Sequence, residues 1–151
     1  MIRLTNLADY AVVVMTAAAR CSETRASAAA MAAATGIPAP TVAKLMGTLA
    51  RAGLLASSRG VAGGFALARP AAAISIAAIV EAVDGPIALT NCNSGETSEC
   101  TLHGSCTVRP HWAPINDAVR SALAAVTLAD LAVPPRRAEI TVSNHNAELV
   151  A

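Results

Sequence analysis

Aromatic side chains are nearly missing from this 151-residue chain: Tyr10, Phe65 and Trp112 are the only ones, 2% of the total. A core without them must be packed from Leu, Val, Ile and the many alanines, which helices accommodate best, so a mainly α fold is expected. Long apolar runs are missing too. The stretches at 11–19 and 71–80 are closed by Asp9, Arg20, Arg69 and Glu81, well short of the roughly 20 residues a bilayer span requires. Near the N-terminus Arg3 is followed by Asn6 and Asp9 rather than an unbroken apolar region. A secretory signal is therefore not expected, and the thiols are expected in a reducing cytoplasm. Catalytic patterns are lacking as well. There is no Walker-type glycine loop, no metal-binding histidine pair and no nucleophile–base motif, so the chain does not read as an enzyme.

Charge is sparse, 14% of residues, and its near balance of +1 conceals a polarity. Residues 1–80 carry Arg3, Arg20, Arg25, Lys44, Arg51, Arg59 and Arg69 against only Asp9 and Glu23, whereas 81–151 carry four arginines against eight acids. The basic half is the candidate for phosphate contact.

The periodicities give that half a shape. A first helix is expected over 4–20, with Thr5 or Asn6 as N-cap and Leu7, Ala11, Val14 and Ala18 facing inward. Ser27 opens a second, stopped by Gly36 and Pro38 at residue 35; Pro40 sits in the first turn of a third, whose Val42, Leu45, Met46 and Leu49 fall at i, i+3, i+4, i+7 before Gly53. Two short helices joined by a Gly-Ile-Pro turn make a helix-turn-helix. Its second helix would present Thr41, Ala43, Lys44, Thr48 and Arg51 to a major groove. A strand over 54–59, a glycine-rich turn and a strand over 65–67 then read as a β-hairpin wing, with Ser58, Arg59 and Gly60 at its tip. Ser75 caps a further helix through 83, closed by Asp84-Gly85-Pro86.

After this winged helix-turn-helix come three of the four cysteines, Cys92, Cys100 and Cys106, in a Gly/Ser/Thr-rich loop. Thiolates are the soft ligands that iron–sulfur clusters and zinc prefer. The spacing C-x7-C-x5-C lacks the paired C-x2-C knuckles of a zinc ribbon. Cys21, ending the first helix among alanines, reads as a small core residue. From Trp112 a helical stripe of Ile115, Val119, Ala122, Leu123 and Val126 leaves apolar surface that a second copy would cover, with Trp112, Ile115, Val119 and Leu123 as the dimer contacts.

The opening MIRLTNLADYAVVVM, the block TVAKLMGTLARAGLLASSRGVAGGFALARP, the helix ISIAAIVEAVDG and the three-cysteine loop together resemble the Rrf-two family of winged-helix repressors, which includes the iron–sulfur-sensing IscR and NsrR types. The resemblance runs from residue 1 to about 131 and is greatest to the branch regulating SUF iron–sulfur assembly. It implies a homodimer on two-fold operator DNA, with a 2Fe–2S or 4Fe–4S cluster held by Cys92, Cys100 and Cys106. The IscR-type histidine, three residues after the last cysteine, is replaced here by Arg109. In the NsrR-type pattern an acid in the first helix reaches the partner's cluster, and Asp9 stands in that place. Without the resemblance, Asp9 is an acid favoured by a helix N-terminus. His111 and His103 read first as surface histidines and remain alternative ligands.

The expected division is a DNA-binding region at 1–84, a cluster loop at 85–111, a dimerisation helix at 112–132 and a fraying tail at 133–151. No membrane partner is expected; oxidants or nitric oxide are the expected signals. Two other classes stay open: a metal-free thiol redox sensor, and a small electron-transfer iron–sulfur protein.

Overall fold

The computed structural model describes residues 3–21, 25–60, 63–93 and 104–133. Cys100, His103 and the expected tail beyond 133 lie outside them.

Helix α1 (Asn6–Arg20) starts where the Thr5 hydroxyl accepts the Ala8 amide at 3.1 Å. It turns Ala8, Ala11, Val14, Met15 and Ala18 into the core. Leu7, expected inside, is 39% exposed, and Ala8 takes its place. One residue along a helix is a rotation of about 100°, enough to carry Leu7 off the buried stripe. The alanines on this face let neighbouring helices close in, and α1 becomes the hub of the molecule. It packs on α2 (Ala28–Thr35), α3 (Ala39–Arg51), α4 (Ile76–Asp84) and α6 (Leu128–Ala132).

Local signals fix the next elements as the sequence predicts. Ser27 caps α2 through the Ala30 amide, and Gly36 ends it at φ +73°, a left-handed conformation glycine adopts without penalty. Val42, Leu45, Met46 and Leu49 of α3 are all buried. Strands β1 (Leu55–Ser58) and β2 (Gly64–Leu67) pair antiparallel in the register Leu55↔Leu67 to Ser58↔Gly64. The result is a mainly helical fold carrying one hairpin. The hairpin is also pinned from outside: Ala26, just before α2, exchanges two 2.9 Å hydrogen bonds with Phe65. No local pattern announces this third strand-like segment.

The C-terminal part departs from expectation. In place of one helix over 112–132 there are two, α5 (Arg109–Ala125) and α6. Val126 is extended at φ −94° and ψ 124°, and its carbonyl accepts the Ile76 amide at 2.9 Å while the Leu128 amide donates to Ile74 at 2.8 Å. This short bridge breaks the helix and welds the C-terminal segment to the start of α4. Thr127 restarts it with a capping box: its hydroxyl accepts the Asp130 amide, and the Asp130 carboxylate accepts the Thr127 amide at 2.8 Å and its hydroxyl at 2.7 Å. The earlier start at Arg109 also moves His111 from the loop onto the first turn of α5. Cys21 is corrected too. It is exposed, because it forms the C-cap of α1 beyond the last buried turn.

The capping box carries a pH signature. The Thr127 hydroxyl, and then its backbone amide, hold the Asp130 carboxyl below its ordinary range. A depressed carboxyl stabilises the fold above its unfolded pKa, near 3.9, and that contribution is lost as pH falls through the lower folded value. Asp130→Ala is therefore expected to lower the urea midpoint at about pH 7 and to approach wild type at about pH 3. An equal gap at both pH values would refute this.

Candidate functional site

The expected DNA-reading surface lies on α3 and the hairpin. Pro38 breaks from α2 and its carbonyl accepts the Thr41 and Val42 amides at 2.9 and 3.1 Å, setting the start of α3. Lys44 and Arg51 are exposed on the face opposite the buried stripe, whereas Thr41 and Thr48 are half-buried. The Arg51 guanidinium donates to the Thr48 hydroxyl at 3.0 Å. It folds back over Gly47, where a Cβ would lie 3.6 Å from Nη1. Thr48 and Arg51, both expected to contact DNA, are thus paired with each other, and Lys44 is the cation of α3 nearest the helix start.

Ser58, Arg59 and Gly60 are exposed where β1 ends. Gly60 sits at φ +105°, and the Gly63 amide closes the turn on its carbonyl at 2.9 Å. A Cβ at Gly63 would come within 2.5 Å of the Ser58 carbonyl oxygen, so glycine alone permits so tight a return. This packing of backbone against backbone leaves Arg59 as the only long side chain among the described residues 58–64 of the wing. At the turn end of β2, opposite Ser58, Gly64 (φ +141°) lies against Ala26 and Arg25, with a Cβ meeting Arg25 Cβ at 3.4 Å. Arg25 is exposed there. Sequence reasoning counted it in the basic half but did not bring it to the wing, because only the Ala26–Phe65 bridge does so.

The expected cysteine site follows α4 in the chain. Cys92 sits in a single 3-10 turn (Asn91–Asn93) that packs against α5, and Cys106 stands three residues ahead of that helix. Both are half-buried free thiols. The Thr90 hydroxyl oxygen is 3.1 Å from Cys92 Sγ. Next to Cys92 in the chain, the Asn93 Nδ2 amide is buried without a hydrogen-bond partner among the described residues. A buried donor left over next to a free thiol suits a centre rich in sulfide and thiolate acceptors, so the donor set fits an iron–sulfur cluster. The described residues contain no group of three metal-ligating side chains, and Cys100 lies outside them. Asp9 is exposed on the first turn of α1, and His111 is exposed on α5.

On α5, Trp112, Asn116, Val119 and Leu123 recur at helical spacing and form the face turned toward the rest of the chain. Asn116 is buried, the other three are half-buried, and Leu123 packs against the hydrophobic core. Of the four expected dimer contacts Ile115 alone is open to solvent, at 45%. Val108, Ala122 and Val126 are exposed on its side of the helix. Periodicity grouped these residues correctly as apolar but could not say which body covers which part of the stripe. Among the described residues no helix is long and apolar enough to cross a membrane.

Comparisons with known proteins agree with this architecture. The family profile described as "Rrf2: Iron-dependent Transcriptional regulator" matches residues 4–134. A Neisseria meningitidis protein named as an HTH-type transcriptional regulator, NMA1593, is 39% identical over 85 residues, 56% of each chain. The HTH-type transcriptional regulator IscR of Yersinia pseudotuberculosis is 33% identical over 96 residues, 64% of this chain and 57% of that one. The alignments thus span little more than half the length of these curated relatives. Among solved structures, the global cysteine regulator CymR of B. subtilis superposes with a TM-score of 0.68 at 27% identity, covering 87% of this chain and 97% of the other. IscR of T. potens gives 0.64 at 24%, covering 86% and 85%.

Proposed function

This chain belongs to the Rrf2 family of transcriptional regulators, and from that premise we propose that it is a dimeric DNA-binding repressor whose operator affinity is set by an iron–sulfur cluster on Cys92, Cys100 and Cys106. The observation carrying the cluster is the presence of two free, half-buried thiols, Cys92 in a turn packed on α5 and Cys106 just ahead of that helix, with the buried Asn93 amide next to Cys92 unpartnered among the described residues. When bound, the cluster supplies a centre that oxidants or nitric oxide can attack. The nuclearity, 2Fe–2S or 4Fe–4S, follows the fourth ligand. Asp9 is our choice for it, reaching from the partner protomer, with His111 and His103 as the alternatives.

In this reading Lys44 and Arg59 contact operator DNA, with Thr41, Thr48, Arg51, Ser58 and Gly60 shaping the same surface. The two heads are joined through the open side of α5 around Ile115, where exposed Val108, Ala122 and Val126 continue the apolar seam. The boundaries of function are 1–84 for DNA, the following loop for the cluster and α5 for dimerisation. Genes of iron–sulfur assembly are the proposed targets, on the strength of the resemblance in sequence.

A cluster-free thiol sensor is the second reading. It is favoured by the Thr90 hydroxyl 3.1 Å from Cys92 Sγ, which can donate to a thiolate, and by the likeness to a cysteine regulator. A pure electron-transfer role would leave the recognition helix and wing without a purpose. One preparation separates these. Protein purified without oxygen is expected to absorb in the visible, to contain iron and sulfide, to sediment as two protomers and to bind a two-fold DNA site. Iron-free protein that binds DNA and releases it on thiol oxidation would overturn the cluster in favour of the thiol reading.

A further inference from the structure

Asn116 is the buried polar residue among the described residues, 8% exposed in the middle of α5. Both ends of its carboxamide are engaged. Oδ1 accepts the Leu89 amide and Nδ2 donates to the Ile87 carbonyl, each at 3.0 Å. Residues 86–90 belong to no helix or strand, so these backbone groups have no ladder of their own, and the side chain serves them as a neighbouring strand would. One helical turn later Arg120 grips Glu81 of α4 with two hydrogen bonds, Nε to Oε1 at 2.6 Å and Nη2 to Oε2 at 3.1 Å. The Glu81 carboxylate, by hydrogen bond and then by charge, raises the Arg120 pKa further above its ordinary value. Across α4, the Thr5 hydroxyl donates to the Asp84 carboxylate at 2.9 Å. The chain leaving α4 is thus held at Asp84 by α1 and at Ile87 and Leu89 by α5. Thr90 and Cys92 follow within three residues of the last hold.

These contacts differ in kind. The Arg120–Glu81 pair is largely solvated, with 50% of the arginine side chain and 25% of the glutamate exposed, so it contributes little. The Asn116 bonds are part-buried, made by a side chain that is itself buried to half-buried backbone, and breaking them leaves a backbone donor and acceptor poorly placed to regain partners. We infer that Asn116 is a positioning residue whose carboxamide fixes Cys92 against α5, so that the cysteine site and the helix that carries Ile115 move as one body. This rests on the reading of Cys92 as part of the sensing site, but the contact can be tested without any cluster.

The test is thiol alkylation of the reduced, metal-free, full-length protein by iodoacetamide, with rates read at Cys92 and Cys21 by peptide mass. Cys21 is exposed at the far end of α1 and reports general loosening. Each such hydrogen bond lost is expected to raise local opening about fivefold. Asn116→Asp, nearly isosteric, loses the donor to Ile87; Asn116→Leu loses both bonds. Cys92 is expected to react about fivefold faster in the first and faster again in the second, with Cys21 unchanged; Arg120→Ala is expected to change Cys92 less than about twofold. Should Asn116→Leu not fold, Asn116→Asp alone decides. An unchanged Cys92 rate, or equal acceleration at Cys92 and Cys21, overturns the inference. Iron and sulfide analysis of wild type run alongside tells failure of this contact from failure of the cluster reading.

Discussion

Cys106→Ala, purified without oxygen, is expected to lose its visible absorption and to retain less than about a tenth of the wild-type iron and sulfide. Loss of an outer-shell partner alone typically costs 10–100-fold in metal affinity, and a direct thiolate ligand should cost at least as much. Cys106 is half-buried and leads straight into α5, so a shorter side chain there cannot be replaced by a neighbouring thiol. Cys92→Ala is expected to behave the same way. Cys21→Ala is the control: that thiol is exposed at the C-cap of α1, and its removal should leave cluster content intact. Asp9→Ala keeps all three thiolates. It is expected to form a cluster that bleaches faster in air, because a carboxylate is a harder and weaker ligand for so soft a site. Full iron and sulfide in either loop-cysteine variant would remove the proposed ligand set.

The elements most legible in the sequence were those whose cause is local. Thr5, Ser27 and Ser75 each accept the amide three residues on, and the α3 stripe is buried at all four predicted positions. A hairpin between 54 and 67 followed from glycine placement. What sequence could not give depends on where distant parts meet. Ala26 joins Phe65 across 39 residues, bringing Arg25 to the wing, and nothing in either segment marks the pairing. The 74–76 and 126–128 bridge breaks a helix whose apolar period runs on past Val126. The Thr127-x-x-Asp130 pattern was in fact a legible sign of that new start. Cys21 shows a different failure. The alanines at 17–19 ahead of it suggested a core position, but the helix had already turned its last buried residue, Ala18, inward. Asn116 looked like any polar residue on a helix, and only the irregular chain across from it reveals what its carboxamide is for.

Substituting Arg59 and Lys44 together with alanine is expected to weaken operator binding by more than about 30-fold at fixed salt. A specific arginine contact in the grooves is worth about 1–3 kcal/mol, and in a two-fold complex each substitution is made twice, giving at least about 2 kcal/mol from Arg59 alone. The geometry favours a groove contact. Gly60 at φ +105° and the Gly60–Gly63 closure keep the wing thin, and a thin wing can carry one arginine into a minor groove where the negative potential is enhanced. Lys44 stands on the open face of α3, close enough to the helix start to meet a base edge or a phosphate. If it meets phosphate, Lys44→Ala should lower affinity equally for operator and unrelated DNA and reduce the salt slope by about one per protomer. Arg59→Ala should instead erode the preference for operator. Both residues are exposed and neither makes a contact that supports the core, so thermal midpoints are expected to stay at the wild-type value. Arg51 offers the internal comparison: its guanidinium is held by Thr48, and Arg51→Ala is expected to cost less than either. Unchanged operator affinity in both Arg59→Ala and Lys44→Ala, with the fold intact, would move the DNA surface elsewhere on the molecule.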